Sequence, residues 1–277
     1  MAARRRTKSQ GARTRKDAPA ALITGGGTGI GAATAKLLAS HGWRIAINYR
    51  ASRDEAEATA AACRKLGADA VALQGDVAAD GDCRRMVKQT LARWGRIDGL
   101  VNNAGMTKVV AGADLEGLTA EDFHAIYATN VVGAYQMTRA AAPALKATGN
   151  GSVVNVSSIV GIVGGGSSTA YAASKGALNT MTLALARALA PEIRVNAVCP
   201  SFVETRWVTS KMDAKQYKQV KAGVEANSPL QRICSAEDVA ESVAWFIAGG
   251  RAITGEILMI DAGVHLFGLG AAYQKKK

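Results

Sequence analysis

A run reading T-G-G-G-T-G-I-G follows a short apolar stretch, with Thr24, Gly25, Gly29 and Gly31 at its fixed points and Gly27, Thr28 and Ile30 among them. Glycines between a strand and a helix leave bare amides at the positive end of that helix. A pyrophosphate can approach there because no Cβ atoms intervene. A turn needed only for strand–helix packing would look the same. Further on, Tyr171 and Lys175 stand four apart in Y-A-A-S-K and share one face of a helix. Ser158 lies thirteen residues before that tyrosine, after the run S-V-V-N-V-S, and Asn130 sits in A-T-N-V-V-G. Alone, each of these is an ordinary surface residue. Together with the glycines and with N-N-A-G at 102–105, they form a set.

The second apolar run ends I-N-Y-R-A-S-R. An acid at its end would bridge the ribose hydroxyls of NAD and repel a 2′-phosphate. Tyr49 stands there instead, followed by Arg50, Ser52 and Arg53. A guanidinium can hold a phosphate bidentately, so this stretch points to NADP(H) over NAD(H), with a solvated loop arginine as the plain alternative. Asp76 and Val77, after the third run, could line an adenine pocket, or Asp76 could cap the next helix.

Short β-like runs alternate with longer helical ones. Strands are predicted at 20–24, 44–49, 70–74, 99–102, 152–157, 193–198 and 256–260. Helices are predicted at 30–41, 54–66, 81–94, 120–129, 131–148, 171–190 and 236–247. Several strands are continuously apolar, as in strands covered on both faces. The alternation predicts an α/β fold: a doubly wound, parallel, seven-stranded sheet flanked by helices, the Rossmann arrangement, in a single domain. Residues 203–229 break the rhythm and carry Trp207 and Tyr217, which suggests a substrate lid.

The chain has 277 residues, 48% of them hydrophobic, enough for one large α/β core and too ordinary in composition for a disordered chain. Net charge is +12, but seven bases lie within residues 1–16 and three more are Lys275, Lys276 and Lys277. Setting those aside leaves 24 bases against 22 acids. We therefore read 1–18 as a basic tail and 268–277 as a second tail around a domain at 19–267. The basic tail reads as a solvated extension rather than an arm for nucleic acid or a membrane surface. No apolar run reaches the roughly 18 residues of a membrane span. The cysteines (Cys63, Cys83, Cys199, Cys234) and histidines (His41, His124, His265) are scattered, without metal-ligand spacing. The expected chemistry involves no metal, and the expected location is the reducing cytoplasm.

With every motif in order over about residues 20–264, the sequence resembles the short-chain dehydrogenase/reductase family. The resemblance implies hydride transfer between a nicotinamide and a carbonyl or secondary alcohol. Tyr171 would be the general acid or base. Lys175 would lower the phenol pKa from about 10 and hold the nicotinamide ribose. Ser158 would bind the substrate oxygen, with Ser157 facing away, and Asn130 would hold a water leading from Lys175 to solvent. Cofactor contacts would come from Gly25, Gly27, Thr28, Gly29, Ile30, Gly31, Arg50, Ser52, Asp76, Val77, Ala104, Gly105, Tyr171, Lys175, Pro200, Val203 and Thr205. Asn103 would touch the cofactor or brace the sheet. Where the family commonly has Pro-Gly, this chain has Pro200-Ser201, and Asp261 in I-D-A-G would be structural.

The texture is most similar to 3-oxoacyl-(acyl-carrier-protein) reductases, although the bases that grip a carrier protein are missing from T-G-N-G-S and A-P-E-I. N-Y-R-A-S-R-D-E-A also resembles glucose dehydrogenases of the same family. The reading is thus a carbonyl reductase, possible substrates including a 3-oxoacyl thioester, with a sugar or polyol dehydrogenase or a non-catalytic NADP-binding regulator as alternatives. By analogy with relatives the subunits would form a homotetramer, or a homodimer, through the two long Ala-rich helices.

Overall fold

The computed structural model describes residues 17–209 and 213–266. Nearly all of the basic tail and the whole C-terminal tail fall outside that range. The sheet is built from β1 (Ala20–Ile23), β2 (Arg44–Tyr49), β3 (Ala70–Gln74), β4 (Gly99–Asn102), β5 (Gly151–Val156), β6 (Ile193–Pro200) and β7 (Ile257–Ile260). Their order is β3-β2-β1-β4-β5-β6-β7, and every pairing is parallel. Strand order reverses between β1 and β4, and their carboxyl ends part there to open a crevice.

Helices α1 (Gly29–Ser40), α2 (Arg53–Lys65), α3 (Asp80–Trp94), α4 (Ala120–Tyr127), α5 (Gly133–Ala147), α7 (Thr169–Leu189) and α10 (Ala236–Ala248) cover the two faces. Each face has its own apolar layer. Ile23, Ile47, Val101 and Val154 pack under Leu38, Val243 and Phe246. Leu22, Leu100 and Val153 pack under Met86, Met137 and Leu145. Successive residues of one strand thus feed opposite cores, which is why these strands read as unbroken apolar runs.

The expected elements occur with shifts of one or two residues at their ends, and three features depart from the sequence reading. The predicted helices 120–129 and 131–148 are one continuous path, joined by a π-helical turn at Ala128–Val132 that contains Asn130. A short helix α6 (Val160–Val163) follows β5, packed so that Gly161 meets the Lys175 backbone. The predicted lid is not irregular but carries α8 (Arg206–Thr209) and α9 (Ala214–Ala226). α9 has a capping box in which Asp213 accepts from the Gln216 amide at 2.8 Å.

Candidate active site

The glycine turn between β1 and α1 is held from three sides. Asn103 donates through Nδ2 to the carbonyls of Thr24 and Gly25, both at 2.9 Å. The Thr24 hydroxyl accepts from the amides of Asn103 and Ala104 at 2.9 and 3.0 Å. Asn48 Oδ1 accepts from the Gly25 amide at 3.2 Å. Gly31 lies beneath this clasp: a Cβ there would stand 2.6 Å from Asn103 Nδ2 and from the Gly25 carbonyl, which rules out any larger residue. Asn103 thus braces the turn while also lining the larger cavity.

Two adjoining cavities open over this turn and share Gly25, Thr28, Ala104 and Gly105. The smaller, about 240 Å³, runs along Gly27, Tyr49, Arg50, Ser52, Asp76 and Val77. Arg50 is on its rim, 67% exposed, with Nη1 3.7 Å from Asp76 Oδ2. Asp76 does not cap α3. Its Oδ1 accepts from the Ala78 amide at 2.9 Å in a local turn, and the carboxylate stays on the cavity wall. The larger cavity, about 640 Å³, holds Gly29, Ile30, Asn103, Ser158, Tyr171, Lys175, Pro200, Val203 and Thr205. Its outer walls are Val109, Val160, Phe202, Trp207 and Val220. Left-handed backbone among described non-glycine residues is confined to Gln231 and Ala262, so Ser201 after Pro200 needs no glycine.

Helix α7 begins at an N-cap, Ser168, whose hydroxyl accepts from the Tyr171 amide at 3.3 Å. This fixes the first turn and with it the tyrosine. One turn later Lys175 is buried and donates from Nζ to the Val156 carbonyl at 2.8 Å. Ser157 donates to the Lys175 carbonyl at 3.1 Å, so it grips the helix backbone. Ser158 points the other way. Its hydroxyl donates to the Pro200 carbonyl at 3.3 Å, and it lines the larger cavity together with Tyr171.

Two features differ from expectation. Burial pushes the Tyr171 phenol up to about 12, with the Ser158 hydrogen bond pulling the other way, whereas the sequence reading had the lysine lowering it. The Lys175 ammonium is itself driven down to about 8 by burial, so as a cation it is a weaker counterweight than an exposed lysine. Asn130 borders neither cavity. Oδ1 accepts from the Met106 amide at 2.8 Å, and Nδ2 donates to the Met106 carbonyl at 3.0 Å and to Ser174 Oγ at 2.9 Å. Ser174 in turn donates to the Tyr171 carbonyl at 2.7 Å. A Cβ on Gly105 would lie 3.4 Å from Asn130 Oδ1 and 3.9 Å from Lys175 Nζ, so both groups back the same loop.

Asn48 is a residue the sequence reading passed over. It is buried, and it also donates to the Gly75 carbonyl at 2.8 Å, tying β2 to the segment after β3. Its signal was an amide inside an otherwise apolar strand. Asp261 is structural as expected, accepting from the amides of Gly263 and His265 at 2.9 and 2.8 Å. The four cysteines are free and buried. Among the described residues, no cluster of three or more His, Cys, Asp or Glu could hold a metal, and no helix is long and apolar enough to cross a membrane.

A solved structure from Burkholderia xenovorans, described as a short-chain dehydrogenase/reductase, superposes with a TM-score of 0.83 at 41% identity, covering 90% of this chain and 99% of that one. The chain belongs to the short-chain dehydrogenase/reductase family. It is an oxidoreductase of that family. A family model described as enoyl-(acyl carrier protein) reductase matches residues 25–265. A Streptomyces violaceoruber protein named as a ketoacyl reductase of the granaticin polyketide synthase is 41% identical over 250 residues, 90% of this chain and 97% of that protein. A 3-oxoacyl-(acyl-carrier-protein) reductase of Staphylococcus aureus is 32% identical over 249 residues, 89% of this chain and 98% of that protein. In this short-chain dehydrogenase/reductase, the crevice where strand order reverses and the glycine cradle beneath it have the shape and chemistry for a dinucleotide.

Proposed function

We propose that the protein reduces an apolar ketone or a 3-oxoacyl thioester with NADPH. The observation carrying this reading is the hydroxyl side chains of Ser158 and Tyr171, set together on the wall of a mostly apolar cavity with Lys175 behind them. A bound reduced nicotinamide would supply the hydride. Amides of the turn around Gly25, Thr28 and Gly29 would take the pyrophosphate, Arg50 and Ser52 the 2′-phosphate, and Asp76 and Val77 the adenine side. Pro200, Val203 and Thr205 line the other end. Ser158 and Tyr171 would both donate to the substrate oxygen, polarising the carbonyl. Tyr171, protonated at neutral pH, would pass its phenolic proton to that oxygen as negative charge develops. Lys175 would then steady the resulting phenolate. Asn130, through Ser174 and Met106, would keep the first turn of α7 and the loop at Gly105 in place.

Val109, Val160, Phe202, Trp207 and Val220 outweigh the hydroxyls of Thr107, Ser167 and Ser201 on the cavity wall, which favours a largely apolar substrate over a polyol. A regulatory protein has no use for the full set of four. Exposed apolar side chains on the outer faces of α5 and α7 (Tyr135, Leu183), with Val132 beside them, fit the proposed homotetramer. Four buried free thiols suit a reducing cytoplasm. The test is a panel of aryl ketones, 3-oxoacyl thioesters and sugars, followed by dinucleotide absorbance with NADPH and NADH. Turnover of ketones or thioesters with NADPH is the expected result, and turnover of sugars alone would overturn it.

A further inference from the structure

One ion pair joins the lid to the opposite wall of the crevice. Arg206, the first residue of α8, bonds through Nη1 to Glu55 Oε1 in the first turn of α2, across 151 positions of sequence. Its path is fixed by its neighbours. Thr205 stands over the start of α1: its Cγ2 would be 3.3 Å from a Cβ on Gly29, whose φ of 53° makes a side chain there unfavourable in any case. On the far side α2 is bound to the turn itself. Thr59 donates to the Gly27 carbonyl at 3.0 Å, and a Cβ on Gly27 would lie 3.1 Å from the Ala56 amide. The chain from Thr205 to Arg206 to Glu55 therefore bridges residues 27–29. These are the amides proposed to take the pyrophosphate.

We propose that the Arg206–Glu55 pair is a strap across the dinucleotide crevice that sets how fast the dinucleotide leaves. The proposal rests on reading the crevice as a dinucleotide site. Helix α9 buries no side chain, so this helix adds little apolar contact to whatever holds Arg206 in place. The pair also fixes Trp207, the next residue, whose ring centre is 6.4 Å from that of Tyr171. Arg206 and Glu55 are thus positioning residues that link the crevice to the reacting end. Exposed ion pairs are weak, so the expected effect is a few-fold change in rate rather than loss of binding.

The experiment is stopped-flow release of NADPH, chased with excess NADP⁺ and followed by NADPH fluorescence. It compares the wild type with Glu55→Gln, Arg206→Gln and the exchanged pair Glu55→Arg/Arg206→Glu. Each single variant should release NADPH about threefold to fivefold faster, and the exchanged pair should return to within about twofold of wild type. High salt should speed release from the wild type more than from Glu55→Gln. Unchanged release in both single variants would overturn the strap while leaving the crevice reading intact. So would an exchanged pair as fast as the singles. Failure of the wild type to bind either NADPH or NADH would overturn both.

Discussion

Lys175 Nζ stands 5.6 Å from the centre of the Tyr171 ring yet donates to the Val156 carbonyl at 2.8 Å, so the amine is anchored to a strand end and only overlooks the phenol. This separates two roles that a shared helix face suggests are one. The strand holds the lysine in position, with its amine over the face of the tyrosine ring. Burial then decides the resting state: it keeps the phenol protonated and makes the amine easier to deprotonate.

The lysine makes stability depend on pH in a predictable direction. Its pKa falls from an unfolded value of 10.5 to about 8 in the folded chain. A depressed pKa favours the folded state above the unfolded value, and the advantage is lost as pH falls towards 8. Comparing the wild type with Lys175→Met cancels the other titrations. The unfolding free energy of the wild type relative to the variant should rise by about 2 kcal/mol between pH 8 and pH 10. Urea denaturation at the two pH values measures it. A flat difference would mean that the amine is not desolvated as the structure has it.

Tyr171→Phe removes the proton donor and leaves the ring against Trp207. Turnover should drop about 10³-fold, while the NADPH dissociation constant, read by fluorescence, changes by no more than about twofold. Normal turnover would move the acid to another group.

Arg50 occupies the rim of the smaller cavity with its guanidinium leaning on Asp76. Arg50→Asp puts a second carboxylate beside that one. The ratio of kcat/KM for NADPH over NADH should fall about 10-fold to 100-fold, the scale of one charge-assisted hydrogen bond to phosphate. An unchanged ratio would leave Ser52 or Arg53 as the discriminating group.

The sheet was legible in the sequence because its strands are buried on both faces and bounded by glycine-rich turns, so period and punctuation agree at Ala20, Arg44 and Gly99. The glycine turn and the shared helix face of Tyr171 and Lys175 were legible from local spacing, whereas Ser158 joined them only through the family resemblance. What spacing does not encode is what surrounds a side chain. The π-helical turn at Asn130 depends on contacts with Met106 and Ser174, 24 and 44 residues away. The raised phenol pKa depends on burial. Asn48 was hidden because an amide in a strand is informative only once its partners, Gly25 and Gly75, are known.

Trp207 and Tyr217 looked interchangeable in sequence, and the structure divides their work. Tyr217 packs on Phe202, ring centres 6.0 Å apart, and donates to Glu204 at 2.6 Å, so it ties α9 to the segment that precedes α8. Trp207 lines the cavity and faces Tyr171, where it would press a bound ketone against the two hydroxyls. Trp207→Ala removes a large apolar surface from the substrate side and leaves the glycine turn, Arg50 and Asp76 unchanged. KM for a bulky aryl ketone should rise about tenfold, the scale of losing one or two kcal/mol of apolar contact. KM for a three- or four-carbon ketone should change little, because such a substrate does not reach the indole. Steady-state kinetics on the two ketones measures the contrast. An equal rise for both would mean that Trp207 acts by holding Tyr171 in place rather than by contacting the substrate.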